Sequence, residues 1–235
     1  MKNKIIILIS ILVLVVSGFC VWFFGFHMPE VRDEKERQQL VKEYYENKLK
    51  LYREENELYD DYEVDVAFIG DSLTDGYDLK SYYPEYVVSN RGIGGETTHG
   101  LEERLKVSVY DLKPKVVVML IGGNNLKTMF ENYEDILIGL KENLPNTKVV
   151  LLSLTAMGQD WAHKNEIACY NNAKIKLLAD KYNYTFVDLY THLFNLETNE
   201  LYSEYTTDGA HFTAKGYEVV TEAVKPVLDD ILNSN

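Results

Sequence analysis

Cysteine is almost absent from this chain of 235 residues: Cys20 lies in an apolar N-terminal segment and Cys169 in a predicted helix. A disulfide between them would have to join two compartments, and no set of Cys and His has zinc-ligand spacing, so neither a cross-link nor a bound metal is expected. Positive charge is scarce as well, with 24 Lys and Arg against 37 Asp and Glu and a net charge of −13. A surface of that sign repels phosphate backbones and anionic headgroups; nucleic acid is not expected as a partner, and neutral or cationic substrates fit better. Internal repeats and low-complexity linkers are missing. With 46% hydrophobic and 26% charged residues, the remaining composition describes one globular domain with an appendage.

The appendage begins with a stretch from Ile5 to Phe26 that holds no charge and follows Lys2 and Lys4. It is long enough to span a bilayer, and the lysines on its N-terminal side put the bulk of the chain outside the cytoplasm. A cleaved signal peptide is the rival, although the apolar core outruns a usual signal core and lacks an Ala-x-Ala site. A lipoprotein reading at Ser17-Gly18-Phe19-Cys20 is weakened by the bulky Phe19. Glu30 to Tyr59 then lacks Gly and Pro and repeats Leu40, Val41, Tyr44, Tyr45, Leu49 and Tyr52 at helical spacing, which predicts an amphipathic juxtamembrane helix packed on the body or on a partner helix. The expected division is therefore an anchor or signal peptide over 1–29, this helix over 30–62, and the main globular domain over 63–235.

Beyond residue 63, short apolar runs alternate with amphipathic segments. Strands are predicted at Val64 to Ile69, Tyr86 to Ser89, Lys115 to Ile121, Lys148 to Leu154 and Thr185 to Leu189. Helices are predicted at Thr97 to Leu112, Tyr133 to Leu144, Lys164 to Lys181 and Ala214 to Leu232. This alternation defines an α/β domain with a parallel sheet of about five strands and helices on both faces. The carboxyl ends of the strands share one edge, where ligand crevices form.

At that edge the first strand stops abruptly at Gly70-Asp71-Ser72. A serine there has the placement of a nucleophile, though Gly-Asp-Ser is also an ordinary turn with a capping serine, so the reading depends on partners. Asp208-Gly209-Ala210-His211 precedes the last helix and supplies an imidazole base with a carboxylate to orient it. Gly94-Gly95-Glu96-Thr97 offers a backbone N–H at a helix start, and Gly122-Gly123-Asn124 a carboxamide that donates without titrating.

The α/β-hydrolase signature fails, since Thr74 stands where Gly-x-Ser-x-Gly needs its second glycine. Four blocks in order instead resemble the GDSL family in its SGNH hydrolase form: Gly70-Asp71-Ser72-Leu73, Asn90 to Thr97, Gly122-Gly123-Asn124-Asn125, and Asp208-Gly209-Ala210-His211. The resemblance covers about Val64 to Leu232. It implies a flavodoxin-like three-layer α/β/α fold and esterase, lipase, thioesterase or carbohydrate-deacylase activity without a cofactor. It also implies roles: Ser72 as nucleophile, His211 as base, Asp208 as its partner, and Ser72 N–H, Gly95 N–H and the Asn124 side chain as oxyanion hole. Asn125 replaces an aspartate common in that family, a change expected to touch loop packing or substrate preference.

Two other acid and imidazole pairs compete: Asp160 with His163, and Asp188 with His192. Spacing does not separate them from Asp208 and His211; the Phe-Thr-Ala-Lys-Gly-Tyr sequel after His211 does, because it matches the family's lead into the last helix. The Trp161 loop is expected to shape the acyl or sugar pocket, Asp188 to cap a strand end, His99 to be a surface residue, and His27 to lie at the membrane interface. The expected activity is hydrolysis of carboxylic esters, with short acyl groups on glycans or related polar alcohols as substrate. An O-acyltransferase with the same triad, or a catalytically silent glycan-binding or scaffold module, stands as the alternative.

Overall fold

In the computed structural model, Val15 and residues 28–234 are described. The expected membrane span from Ile5 to Phe26 therefore lies outside the described residues, Val15 excepted, and so does His27. Among the described residues no helix is long and apolar enough to cross a membrane. The chain divides into two units, Met1–Lys48 and Leu49–Asn235.

Helix α1 spans Met28–Asn56. Its Glu and Lys residues pair along the surface one turn apart, as Lys42 with Glu46 and Lys50 with Glu54. The predicted apolar stripe is only partly packed. Leu40 and Val41 are exposed, at 66% and 61%, whereas Tyr52 is 3% exposed and donates its hydroxyl to Gly92 O at 2.6 Å.

The second unit is built on a parallel sheet of β1 (Val66–Gly70), β2 (Val88–Gly92), β3 (Val116–Leu120), β4 (Lys148–Leu152) and β5 (Thr185–Val187), in the order β2-β1-β3-β4-β5. Every residue of β1 and β3 is buried, as expected of strands covered on both faces. The covering helices include α2 (Ser72–Asp75) and α3 (Leu79–Tyr82), then α4 (Thr98–Leu105), α5 (Tyr133–Asn143), α6 (Asn165–Tyr182), α7 (Leu189–Leu193) and α8 (Ala214–Asn233). α4 packs on α5, α5 on α6, and α7 on α8. A two-stranded hairpin, β6 (Phe194–Asn195) and β7 (Glu200–Leu201), lies between α7 and α8.

Two of the boundaries that depart from the sequence reading bear on the site. The strand predicted at Tyr86 to Ser89 begins at Val88 and runs on through Asn90-Arg91-Gly92. Those polar residues sit in a strand because groups outside it partner them: Asn90 Nδ2 donates to Thr74 O at 2.7 Å, and the fully buried Arg91 donates to Tyr52 O at 3.1 Å and forms an ion pair with Glu55 at 3.3 Å. The single helix predicted over Thr97 to Leu112 is α-helical only to Leu105, then widens into a π-helical segment, Lys106–Tyr110. Within it Ser108 Oγ accepts from Arg104 Nη1 at 2.8 Å.

Candidate active site

The chain leaves β1 for β2 on one side and crosses to β3 on the other, so the order of the sheet reverses beside β1. That is the switch point at which open α/β sheets collect ligands. Ser72 opens α2 two residues past the end of β1, and Gly123-Asn124-Asn125 forms a 3-10 turn just past β3. The Asp208 to His211 loop feeds α8, whose first turn is capped by Thr213 accepting from Gly216 N.

These three segments converge. His211 Nδ1 lies 2.7 Å from Asp208 Oδ2. A carboxylate only accepts, so Nδ1 carries the proton and Nε2 is left as the acceptor. Ser72 Oγ donates to that nitrogen at 3.0 Å. The loop fixes the carboxylate independently of the ring: Asp208 Oδ1 accepts the N–H groups of Ala210 at 3.0 Å and His211 at 2.8 Å. The backbone N–H of His211, ahead of its imidazole, holds the Asp208 carboxyl at about 2, below the usual carboxylate range. Gly209 adopts φ +86°, and a Cβ there would lie 2.2 Å from Gly158 O. Glycine lets the two loops close, with Gly158 N–H donating to Gly209 O at 2.8 Å.

Gly95 has φ +78° and open space where a side chain would stand. Its N–H finds no acceptor among the described residues. Asn124 lines the same cavity as Ser72 and His211, with one carboxamide hydrogen donated to Glu96 O at 2.9 Å and the second left over. Asn125 turns away from this chemistry and ties the loop to α4, accepting from Thr98 N at 3.3 Å and donating to Thr98 Oγ1 at 2.9 Å.

One part of the scaffold gave no sequence signal. Arg104 is buried, and its guanidinium donates to Gly70 O at 2.9 Å, Arg91 O at 2.9 Å, Ser108 Oγ at 2.8 Å and Glu96 Oε2 at 2.9 Å. It thereby joins the ends of β1 and β2 to the turn that carries Gly95. Among the described residues the competing imidazoles make no hydrogen bond to Ser72. His163 Nδ1 is 2.8 Å from the backbone O of Asp160, not from its carboxylate. Asp188 caps α7, accepting from Thr191 N at 3.1 Å, and His99 pairs with Glu103 on the surface at 3.4 Å. Among the described residues no group of three or more His, Cys, Asp or Glu side chains could hold a metal ion.

Asp71 precedes the serine and is 5% exposed, with Oδ1 accepting from Leu73 N at 3.0 Å. Burial pushes its carboxyl from 3.8 up to about 6. Below pH 3.8 it is neutral in folded and unfolded chains alike. Between 3.8 and 6 the unfolded chain releases the proton first, so stability falls as pH rises through about 6, by on the order of 3 kcal/mol. Asp71→Asn keeps the cap and removes the charge. Thermal melts are expected to show it level with the parent at pH 4 and more stable at pH 8; an equal difference at both would refute the shift.

The fold and the site together define an α/β/α protein with serine, imidazole and carboxylate aligned at the switch point of a parallel sheet. The chain belongs to the GDSL-like Lipase/Acylhydrolase family, whose profile matches residues 68–219. It is 33% identical over 108 residues to platelet-activating factor acetylhydrolase IB subunit alpha2 of Rattus norvegicus, a match covering 42% of this chain and 47% of that one. The chain thus spans about half the length of the curated relatives it matches. A GDSL-like lipase from Bacteroides thetaiotaomicron superposes with a TM-score of 0.67 at 26% identity, covering 77% of this chain and 97% of the other. The acetylxylan esterase Axe2 of Geobacillus stearothermophilus shares the fold, with a TM-score of 0.59 at 21% identity over 72% of this chain and 95% of that one.

Proposed function

We propose that this chain is a serine esterase that removes short acyl groups from polar alcohols, glycans foremost. The observation that carries the reading is the Ser72 Oγ to His211 Nε2 contact of 3.0 Å with Asp208 behind the ring at 2.7 Å. In this mechanism Ser72 Oγ attacks the ester carbonyl while its proton passes to His211 Nε2. The developing oxyanion receives the N–H groups of Ser72 and Gly95 and the spare Asn124 hydrogen. Imidazolium returns the proton to the leaving alcohol. Water, activated by the same ring, then attacks the Ser72 acyl ester and releases the acid.

Cavity size supports a short acyl group. The space at Ser72 is about 180 Å³, walled by Leu73, Leu120, Leu154 and Met157. Sites for drug-sized ligands run to about 300–1,000 Å³. Exposed Trp161 stands at its mouth and offers a flat face to a sugar. The names of its relatives point the same way, since an acetylhydrolase and an acetylxylan esterase both remove acetyl groups. In this reading the segment from Ile5 to Phe26 holds the domain at the outer face of the membrane, and intact mass of the membrane-extracted chain tests whether that segment is retained.

The test of function is turnover of matched esters from acetyl to palmitoyl, acetylated glycans included, with a serine-directed phosphonate as probe. Acetyl esters are expected to be preferred and Ser72 to be the modified residue. A tenfold preference for long-chain esters would overturn the acyl assignment, and an unlabelled Ser72 the enzyme reading.

A further inference from the structure

A groove of about 740 Å³ opens beside the Ser72 cavity, and the two share Gly123, Asn124 and Lys164 in their walls. An acyl group seated in the smaller cavity leaves this groove for the alcohol. Its charge opposes that of the whole molecule. Lys127 and Lys164 line it against a single carboxylate, Glu166, so the wall carries a positive surplus within a chain of net charge −13. His163 also lines it.

Lys164 is fixed in place. It is half-buried, and its ammonium stands 4.2 Å from the Trp161 ring centroid, where the negative face of the indole attracts it. Many basic groups of this unit are neutralised by a carboxylate, as Lys113 is by Asp61, Lys115 by Asp65 and Lys215 by Glu204. Neither Lys164 nor Lys127 has a carboxylate partner among the described residues, which leaves both ammonium groups available to a ligand. Tyr170, 73% exposed, adds an aromatic face along the same wall.

We infer that this groove is the leaving-alcohol subsite and that Lys164, with Lys127, selects alcohols bearing an anionic substituent, a carboxylate or phosphate on a sugar or polyol. The inference rests on the esterase reading and departs from the expectation, drawn from net charge, that neutral or cationic substrates fit better. Lys164 lines both spaces, so an anion held there lies beside the bond that breaks. A charge-assisted contact of this kind is worth about tenfold or more in kcat/KM.

The experiment uses the full chain and three acetyl esters matched in acyl group: those of glucose, glucuronate and glucose phosphate. Either anionic ester is expected to exceed the neutral one by about tenfold in kcat/KM, mostly through KM, and the advantage should shrink as salt rises. The uronate and phosphate arms separate the two sources of charge. Lys164→Gln, alone and with Lys127→Gln, should bring the anionic-to-neutral ratio toward one. Lys174→Gln, whose ammonium lies over Phe130 outside the groove, should leave the ratio unchanged. Inhibition by free glucuronate against free glucose reads the same subsite without turnover. Equal kcat/KM for all three esters, or an unchanged ratio in the folded double variant, overturns the inference while leaving the esterase reading intact. Failure to turn over any acetyl ester overturns the short-acyl reading and this inference with it, whereas an unlabelled Ser72 overturns the esterase reading itself.

Discussion

His211→Ala is expected to lower kcat on an acetyl ester by about three to six orders of magnitude with the fold intact, and Ser72→Ala by a similar amount. The size follows from shared duty. Ser72 Oγ donates to His211 Nε2 at 3.0 Å, so without the ring the hydroxyl has no acceptor for its proton, and without the hydroxyl the ring has nothing to activate. Asp208→Ala should cost less, because the nucleophile and base both remain; yet it removes the acceptor of the Ala210 and His211 N–H groups, so the loop loosens along with the ring. His192→Ala should leave turnover unchanged. For His163→Ala the decisive readout is phosphonylation of Ser72 by a small phosphonate, which does not use the neighbouring groove and is expected at the parental rate. Melting curves establish that each variant is folded. A well-folded His211→Ala enzyme with near-normal turnover, beside a His163→Ala enzyme that no longer reacts with the phosphonate, would transfer the role of base to the Trp161 loop.

The part of this site that could be read from sequence is the part made by neighbours in the chain. Asp208 and His211 are three residues apart, and the carboxylate reaches both the ring and the backbone N–H of its partner within one turn. The end of β1 was likewise visible, because an apolar run stops abruptly at Gly70-Asp71-Ser72. Structure made by distant partners was not visible. Arg91 reads as a loop residue until Glu55 and the Tyr52 carbonyl, nearly forty positions earlier, are placed beside it. The same reason hid the true length of β2. Helices α2 and α3 are four residues each, too short for an apolar period to register, and α7 begins at Leu189 where strand was expected to continue. There Asp188 caps the helix through Thr191, which a strand-end reading of the same aspartate did not foresee.

Arg104→Met is expected to destabilise the domain by about 3–5 kcal/mol, because it leaves Glu96 as a buried carboxylate without its counter-charge. The side chains of Arg104 and Glu96 are 1% and 7% exposed, so water cannot take over. The consequence for catalysis is argued through the bonds that Arg104 makes. Gly70 O, which it holds at 2.9 Å, lies two residues before Ser72; Glu96, which it holds at 2.9 Å, follows Gly95 and accepts Asn124 Nδ2 on its backbone O at 2.9 Å. All three donors proposed for the oxyanion are therefore positioned within two residues, or one hydrogen bond, of a residue that this single guanidinium holds. Losing one such donor costs about 10²–10³ in kcat in enzymes that use them. Folded Arg104→Met is expected to fall by about 10² in kcat with KM little changed, and Arg104→Lys, which keeps the charge but not the fork of donors, to recover stability better than rate. Adding Asn124→Ala to the Arg104 variant should cost less than Asn124→Ala costs alone, since both act on one arrangement. Full additivity, or a loss of stability with kcat preserved, would show that Arg104 holds the sheet together without setting the oxyanion donors.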